Sequence, residues 1–437
     1  MLEHIDHLVE IFNVCWPMYA AMPAVLKESI ERAYVCAGWD MDLSVNTKID
    51  GLYPDFDDVL GQLNELIHDS AYSEDTKGDY IGALSMRLKS LTNGINGKIF
   101  SGNEMDMKLL FEESAILDIS RIGSTETKAL IMGLTVWKLQ EYRMSQKQEM
   151  NAGLKHLTVL EEAHNLLKKT SMQQGHDSAN IQGKSVEMLT NAIAEMRTFG
   201  EGFIIADQAP DLLDTAAIRN TNTKIVLRLP EGNDRRIMGA SMALTEKQTL
   251  EISKFPTGVA SVYQNEWQEA VLCRMPEYKG AAQGADKPVP DMHIVSKKER
   301  NDHLLHRLLK NDFAGIDINE LRHDILQSGV SAKIRKDLLL NLSSRNLHFE
   351  WALADFIQKN YSFSEVFQGT QAGAWESMED LCRIMMENIA EEFGGFCEEE
   401  RRKILYYICR VEHERFPDNA IIEQLRVDYL KKGMTGR

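Results

Sequence analysis

Two short apolar runs, each ending in polar and acidic side chains, constrain this chain more than any other feature. Leu157-Thr158-Val159-Leu160 runs into Glu161-Glu162-Ala163-His164, and further along Gly202-Phe203-Ile204-Ile205-Ala206 runs into Asp207-Gln208-Ala209-Pro210. Both are rich in strand formers and too short for helices, so they predict two buried parallel strands. Open α/β sheets build their sites where such strands deliver polar groups at their C-terminal ends. An acidic pair on one strand and an amide on its neighbour suit a magnesium nucleotide. The first carboxylate holds the metal or its water, the second activates a water, and the amide orients that water or senses a γ-phosphate.

The flanking sequence supports an α/β core. Ser124 to Met144 reads as a long helix, with Leu130, Leu134, Trp137 and Tyr142 on or near one face. Residues 170–183 are polar and carry two glycines, which predicts a loop near the site, and Val186, Leu189, Ile193 and Met196 form an apolar helical stripe. Lys224 to Leu229 reads as a further buried strand, Thr245 with Gln248 as a capping box, and Val259–Tyr263 with Glu269–Arg274 as an edge hairpin. Before this core, residues 1–110 are helical in pattern, with Leu8, Ile11, Phe12 and Cys15, then Val59, Leu60, Leu63, Leu66 and Ile67, at helical spacing. After it, residues 279–294 are rich in Gly, Ala and Pro and read as a linker, and residues 295–437 lose all strand pattern. That last part is expected to be all-helical, with its own core drawn from residues such as Trp351, Phe356, Phe363, Trp375 and Tyr406, and to fold by itself.

Composition excludes several classes. A hydrophobic content of 43% over 437 residues rules out disordered and fibrous chains. No run of about 18 apolar residues is present and no basic-then-apolar leader, so a chain without a membrane span, located in the cytoplasm, is expected. Cys15, Cys36, Cys273, Cys382, Cys397 and Cys409 show no CxxC pairing, which predicts reduced, mostly buried thiols rather than a zinc site or disulfide framework. The net charge of −17 argues against a surface that coats nucleic acid, though a ring needs only a few basic residues facing its channel.

Four blocks in order, LTVLEEAHNLL (157–167), MRTFGEGFIIADQAP (196–210), IRNTNTKIVLRLPEGND (218–234) and LTEKQTLEISKFPTGVASV (244–262), resemble the HerA/FtsK superfamily of P-loop motor ATPases, the HerA branch most of all. The resemblance spans roughly residues 1–277. It implies a RecA-like (ASCE) α/β parallel sheet, with residues 1–110 as a helical region of the ATPase domain and 111–278 as its core, in which Ala115-Ile116-Leu117-Asp118-Ile119 matches a strand. The family's phosphate-binding GxxxxGK[ST] is absent from the sequence, so the resemblance places that loop before Met1 and the fold as incomplete at its N-terminus. Gly94-Ile95-Asn96-Gly97-Lys98 is no substitute: position 92 is Thr, position 99 is Ile, and the preceding Met86 to Leu91 is amphipathic rather than a buried strand.

By the same resemblance Glu162 is the catalytic glutamate, Glu161 the magnesium ligand and Gln208 the sensor. Arg197 and Arg228 are candidate arginine fingers, which reach from one subunit to its neighbour's γ-phosphate. Plainer accounts stand beside these: a solvated acidic pair, a turn-forming glutamine, an arginine offsetting a helix dipole for Arg197, and an inward ion pair for Arg228. His164 reads as a local hydrogen-bonding residue, since His156, Glu161 and His164 lack HExxH spacing. The implied cofactors are ATP and Mg2+. The implied partners are further copies in a hexameric ring, duplex DNA, and a nuclease or other effector in phage defence, DNA processing or conjugation. A non-enzymatic scaffold or regulatory subunit is the alternative, and a metal-dependent hydrolase built on Glu161, Glu162 and His164 a third reading. Gly329-Val330-Ser331, followed by Lys333, Arg335 and Lys336, fits either a plain helical hairpin or a DNA-reading helix-turn-helix.

Overall fold

The computed structural model describes residues 1–437 apart from 17, 20, 101–104, 147–152, 170–177, 278–295, 311–315, 345, 363–365, 368–374, 416–419 and 431–437. The expected linker at 279–294, most of the expected loop at 170–183, and Phe363 lie outside the described residues. The chain divides into two compact units, one of Leu2–Lys27 and Met105–Asp291, the other of Met1, Glu28–Glu104 and Met292–Arg437.

The first unit holds the acidic strands. Its α1 (Leu2–Cys15) buries Ile5, Val9 and Phe12, spaced one turn apart. Helix α2 (Thr125–Ser145) starts where Ser124 accepts the Thr127 N–H at 3.2 Å, and it buries Leu130, Val136 and Trp137. At Gly133 a Cβ would meet Ile11 Cγ2 at 2.9 Å, so the glycine lets α1 lie close against α2. Then come β1 (His156–Glu161), α3 (Ser178–Glu195) and β2 (Glu201–Ala206). Between α3 and β2 the turn Met196–Phe199 ends on Gly200 at φ +84, where a side chain would be strained and its Cβ would sit 2.5 Å from the Gly153 carbonyl oxygen.

Strands β1 and β2 pair in parallel from His156 opposite Glu201 to Glu161 opposite Ala206. The register sorts the side chains, because residues directly opposite share a face. His156, Thr158 and Leu160 share the packed face with Glu201, Phe203 and Ile205, while Leu157, Val159 and Glu161 share the other with Gly202, Ile204 and Ala206. Leu157, Val159 and Ile204 are 46–53% exposed, so the two strands are covered on one face rather than buried on both as expected. The packed face carries a buried polar clamp. Glu201 accepts from Arg143 Nε at 3.0 Å, from Thr158 Oγ1 at 2.7 Å, and pairs with His156 Nδ1 at 2.7 Å.

Two further expectations need correction. Residues 115–119 form no strand: Ile116 is 95% exposed, no described strand lies alongside to share a ladder, and Asp118 turns the chain by accepting the Ser120 N–H. The strand expected over 224–229 is β3 (Thr223–Val226). It belongs to a separate antiparallel sheet with β4 (Val259–Gln264) and β5 (Val271–Arg274), around Val226, Leu229, Met242 and Ile252. The β4–β5 hairpin and the Thr245–Gln248 capping box are as expected.

Among its described residues, the second unit forms helices and a single two-residue ladder, Trp39–Asp40 with Val45–Asn46. Its core joins Leu305, Leu338, Phe356, Phe393 and Ile408 to Ala37, Ile49 and Leu52 from the early part of the chain. Polar contacts tie the same parts: Asp58 accepts the Ala332 N–H at 2.8 Å, and buried Arg335 donates to the Tyr53 carbonyl at 2.9 Å. The units thus divide the chain differently from the sequence reading, which set 1–110 apart from 295–437. Two of the three basic residues after Gly329 are also engaged: Arg335 and Lys336 donate to backbone carbonyls of Tyr53 and Cys36, while Lys333 is exposed. That engagement supports the helical hairpin. Among the described residues no helix is long and apolar enough to cross a membrane.

Candidate active site

Strand β1 ends at Glu161 and the chain then reverses sharply. Glu162 adopts the left-handed conformation (φ 49°, ψ 48°), which a non-glycine residue holds only when its surroundings impose it. A single turn, Ala163–Asn165, follows, and Asn165 Nδ2 donates to the Glu162 carbonyl at 2.9 Å. Alternation along β1 already sets Glu162 on the side opposite Glu161, and the left-handed turn keeps its 47% exposed carboxylate out of the packed face. The carboxylate swings across the tip of β2 instead, where Gln208 Nε2 donates to its Oε1 at 2.9 Å.

Asp207 imposes this arrangement. Its side chain is only 3% exposed, and it accepts the His164 N–H at 2.8 Å, pairs with His164 Nδ1 at 2.9 Å, and accepts the Ala209 N–H at 2.9 Å. One carboxylate therefore ties the turn after β1 to the turn after β2, and His164 Nδ1 comes to lie 3.6 Å from Glu162 Oε2. Lys169 N–H to the Leu212 carbonyl and Asp214 N–H to the Leu167 carbonyl, both 2.8 Å, continue the joint. The sequence reading gave Asp207 no role. Its sole signal was an acid directly before Gln208 at a strand end, and its importance rests on contacts 43 residues apart in sequence.

The predicted residues are brought together only in part. Glu162 and Gln208 meet, whereas Glu161 stands apart on the open face as an exposed carboxylate at the strand tip. Magnesium is held through one or two carboxylates, waters and substrate phosphates, and Glu161 fits such a partial oxygen site. Glu162, His164 and Asp207 place one ligand atom each within 4.8 Å of one another, but an imidazole suits softer divalent ions better than magnesium. Arg197 is exposed in the turn that precedes β2, while Gln208 follows that strand's end. A strand of that length spans about 20 Å, so Arg197 does not reach Glu162 of the same chain. Arg228 lies beyond the end of β3 and is exposed, not turned inward to an ion pair.

No protein-family model matches the chain. It is similar to the DNA double-strand break repair helicase HerA of Sulfolobus acidocaldarius, 28% identical over 167 residues that make up 38% of this chain and 31% of that protein. It is similar also to the protein of the same name from Sulfurisphaera tokodaii, 24% identical over 233 residues, 53% of this chain and 44% of that protein. The chain spans less than half the length of these relatives. Among solved structures it resembles VirB4 of Thermoanaerobacter pseudethanolicus, with a TM-score of 0.45 at 15% identity over 63% of this chain and 70% of that one.

Proposed function

We propose that this chain, which belongs to the HerA/FtsK superfamily of P-loop motor ATPases, is a subunit of a HerA-like translocase that couples ATP hydrolysis to movement on duplex DNA. The observation that carries the reading is the meeting of Glu162 and Gln208 at 2.9 Å across the tips of two parallel strands. In it, Glu162 takes the proton of the attacking water and Gln208 orients that water. Asp207 and His164 are positioning residues that hold Glu162 in its left-handed turn. Glu161 supplies a carboxylate toward Mg2+, which when bound neutralises phosphate charge. Arg197, too far from its own Glu162, acts on a neighbouring subunit's nucleotide in a ring, with Arg228 as the other candidate. The phosphates themselves need a cradle of loop amides and a lysine, and no GxxxxGK[ST] occurs among the 437 residues. The reading therefore requires that loop from other residues, and the 437 residues alone are expected to turn over little ATP.

A second reading is a subunit that hydrolyses nothing and serves as a scaffold through its helical unit. Third-strand displacement from a DNA triplex by the intact cellular assembly separates the two. ATP-dependent displacement supports the motor, whereas binding of duplex without displacement or hydrolysis supports the scaffold.

A further inference from the structure

Two carboxylates converge on one nitrogen of His164, and a single proton cannot serve both. His164 Nδ1 lies 2.9 Å from Asp207 Oδ2 and 3.6 Å from Glu162 Oε2. When Nδ1 carries a hydrogen, that hydrogen goes to Asp207, whose Oδ2 also accepts the His164 N–H at 2.8 Å. Glu162 then keeps the Gln208 amide on its Oε1, while its Oε2 faces the ring. The Asp207 side chain is only 3% exposed, and neither acid pairs with a lysine or arginine among the described residues. Charges so enclosed are paired or hold a cation. Among the described residues, no other three His, Cys, Asp or Glu side chains bring ligand atoms this close together.

The separations suit one ion replacing the Nδ1 proton. With metal–ligand bonds of about 2.1 Å, gaps of 2.9 Å and 3.6 Å subtend roughly 90° and 120° at the ion, between octahedral and tetrahedral values. Asp207 is preset, since its other oxygen accepts the Ala209 N–H at 2.9 Å. Glu162, 47% exposed, closes from the solvent side, and water completes the shell. Magnesium wants oxygen ligands in near-ideal octahedra, whereas imidazole with carboxylates selects a zinc-type ion. Glu161, the carboxylate suited to magnesium, lies on the opposite side of β1. We propose that Glu162, His164 and Asp207 bind a zinc-type divalent cation, apart from any magnesium on Glu161, and that this ion withdraws the Glu162 carboxylate from proton transfer. The binding site rests on the geometry alone, and the withdrawal rests on the reading of Glu162 as the base.

Absorption titration of the metal-free full chain with Co2+, a coloured stand-in for Zn2+, tests the site. The expected result is one saturable ligand-field band without the near-ultraviolet band of a cysteine thiolate. Zn2+ should abolish that band and excess Mg2+ should not. His164→Gln and Glu162→Gln should each weaken Co2+ binding at least about tenfold, the smallest usual effect of losing even an outer-shell partner. Glu162→Gln changes an exposed side chain, so it reports on the site even where His164→Gln lowers the melting temperature. His68→Gln, in an exposed pair with Asp69 at 3.0 Å in the other unit, should leave affinity unchanged. No saturable band, a thiolate band alone, displacement by Mg2+, or equal weakening by His68→Gln would overturn the site. These readouts need no nucleotide, so they fail or hold apart from the ATPase reading. In an intact assembly that hydrolyses ATP, saturating Zn2+ should lower turnover at least about tenfold, the fraction of Glu162 left unbound setting the residue. Undiminished turnover with the ion bound would overturn the withdrawal of Glu162, and an assembly without turnover would remove the motor reading and the withdrawal together.

Discussion

Glu201→Ala should loosen the strand pair that carries the candidate site. The Glu201 carboxylate is fully buried and bonds Arg143, His156 and Thr158, while the Arg143 side chain is itself only 2% exposed. Removing the carboxylate leaves the guanidinium with the Phe111 carbonyl at 2.7 Å and with Glu112, whose side chain is 51% exposed. Breaking one side of a buried pair costs about 3–5 kcal/mol, because the remaining charge stays desolvated. Glu112→Ala removes a partner that water can replace, and should cost under about 1 kcal/mol. Amide hydrogen exchange over β1 and β2 measures the difference locally. For Glu201→Ala, protection over these strands should fall by two to three orders of magnitude, roughly a factor of ten per 1.4 kcal/mol, while Glu112→Ala should leave it within a factor of about five. Equal losses in the two variants, or a loss under tenfold for Glu201→Ala, would refute the clamp.

Other consequences follow from the same geometry. Glu162 holds a left-handed backbone that glycine adopts freely, so Glu162→Gly should be about 1 kcal/mol more stable than Glu162→Ala by chemical denaturation, and equal stabilities would contradict the assigned turn. In the other unit, burial first and the neighbouring Asp55 next push the Asp58 carboxyl from 3.8 up to about 7, against the opposing Asp55 and Ala332 N–H donors and Arg335. Between those values the folded state holds a proton that the unfolded state has lost, so stability should fall with rising pH, by up to about 1.4 kcal/mol per unit, and level off above 7. Asp58→Asn should flatten that slope between pH 4 and 7, and an unchanged slope would remove Asp58 as its source. Arg197→Ala subunits mixed with Glu162→Gln subunits should recover some ATP hydrolysis where an intact arginine faces an intact glutamate. Mixed assemblies as inactive as either parent, with co-assembly verified, would move the finger assignment to Arg228.

What the sequence made legible was local. Apolar runs marked β1 and β2, Ser124 marked the start of α2, and Thr245 with Gln248 marked a capping box, because each signal lies within a few residues of its effect. What it hid was set by distant contacts. The run at 115–119 has strand composition, but a strand needs a neighbour, and none is present among the described residues. The alliance of 28–104 with 292–437 rests on bonds such as Arg335 to Tyr53, 282 residues apart. Glu162 and Gln208 were readable as types at strand ends. The separation of Glu161 from Glu162 follows from strand alternation, and the role of Asp207 from two contacts with His164 that only the fold assembles.

The central claim is that Glu162 is the water-activating base of a motor site, and the most direct test is duplex-stimulated ATP hydrolysis by the intact assembly purified from its own cells. Glu162→Gln keeps the size of the side chain and its bond to Gln208 but cannot accept a proton. The account predicts turnover in the unaltered assembly, and in the variant a fall of at least about 100-fold, the usual worth of a general base, with nucleotide still bound and retained. Undiminished hydrolysis in Glu162→Gln, or an unaltered assembly that binds duplex yet hydrolyses nothing, would contradict it.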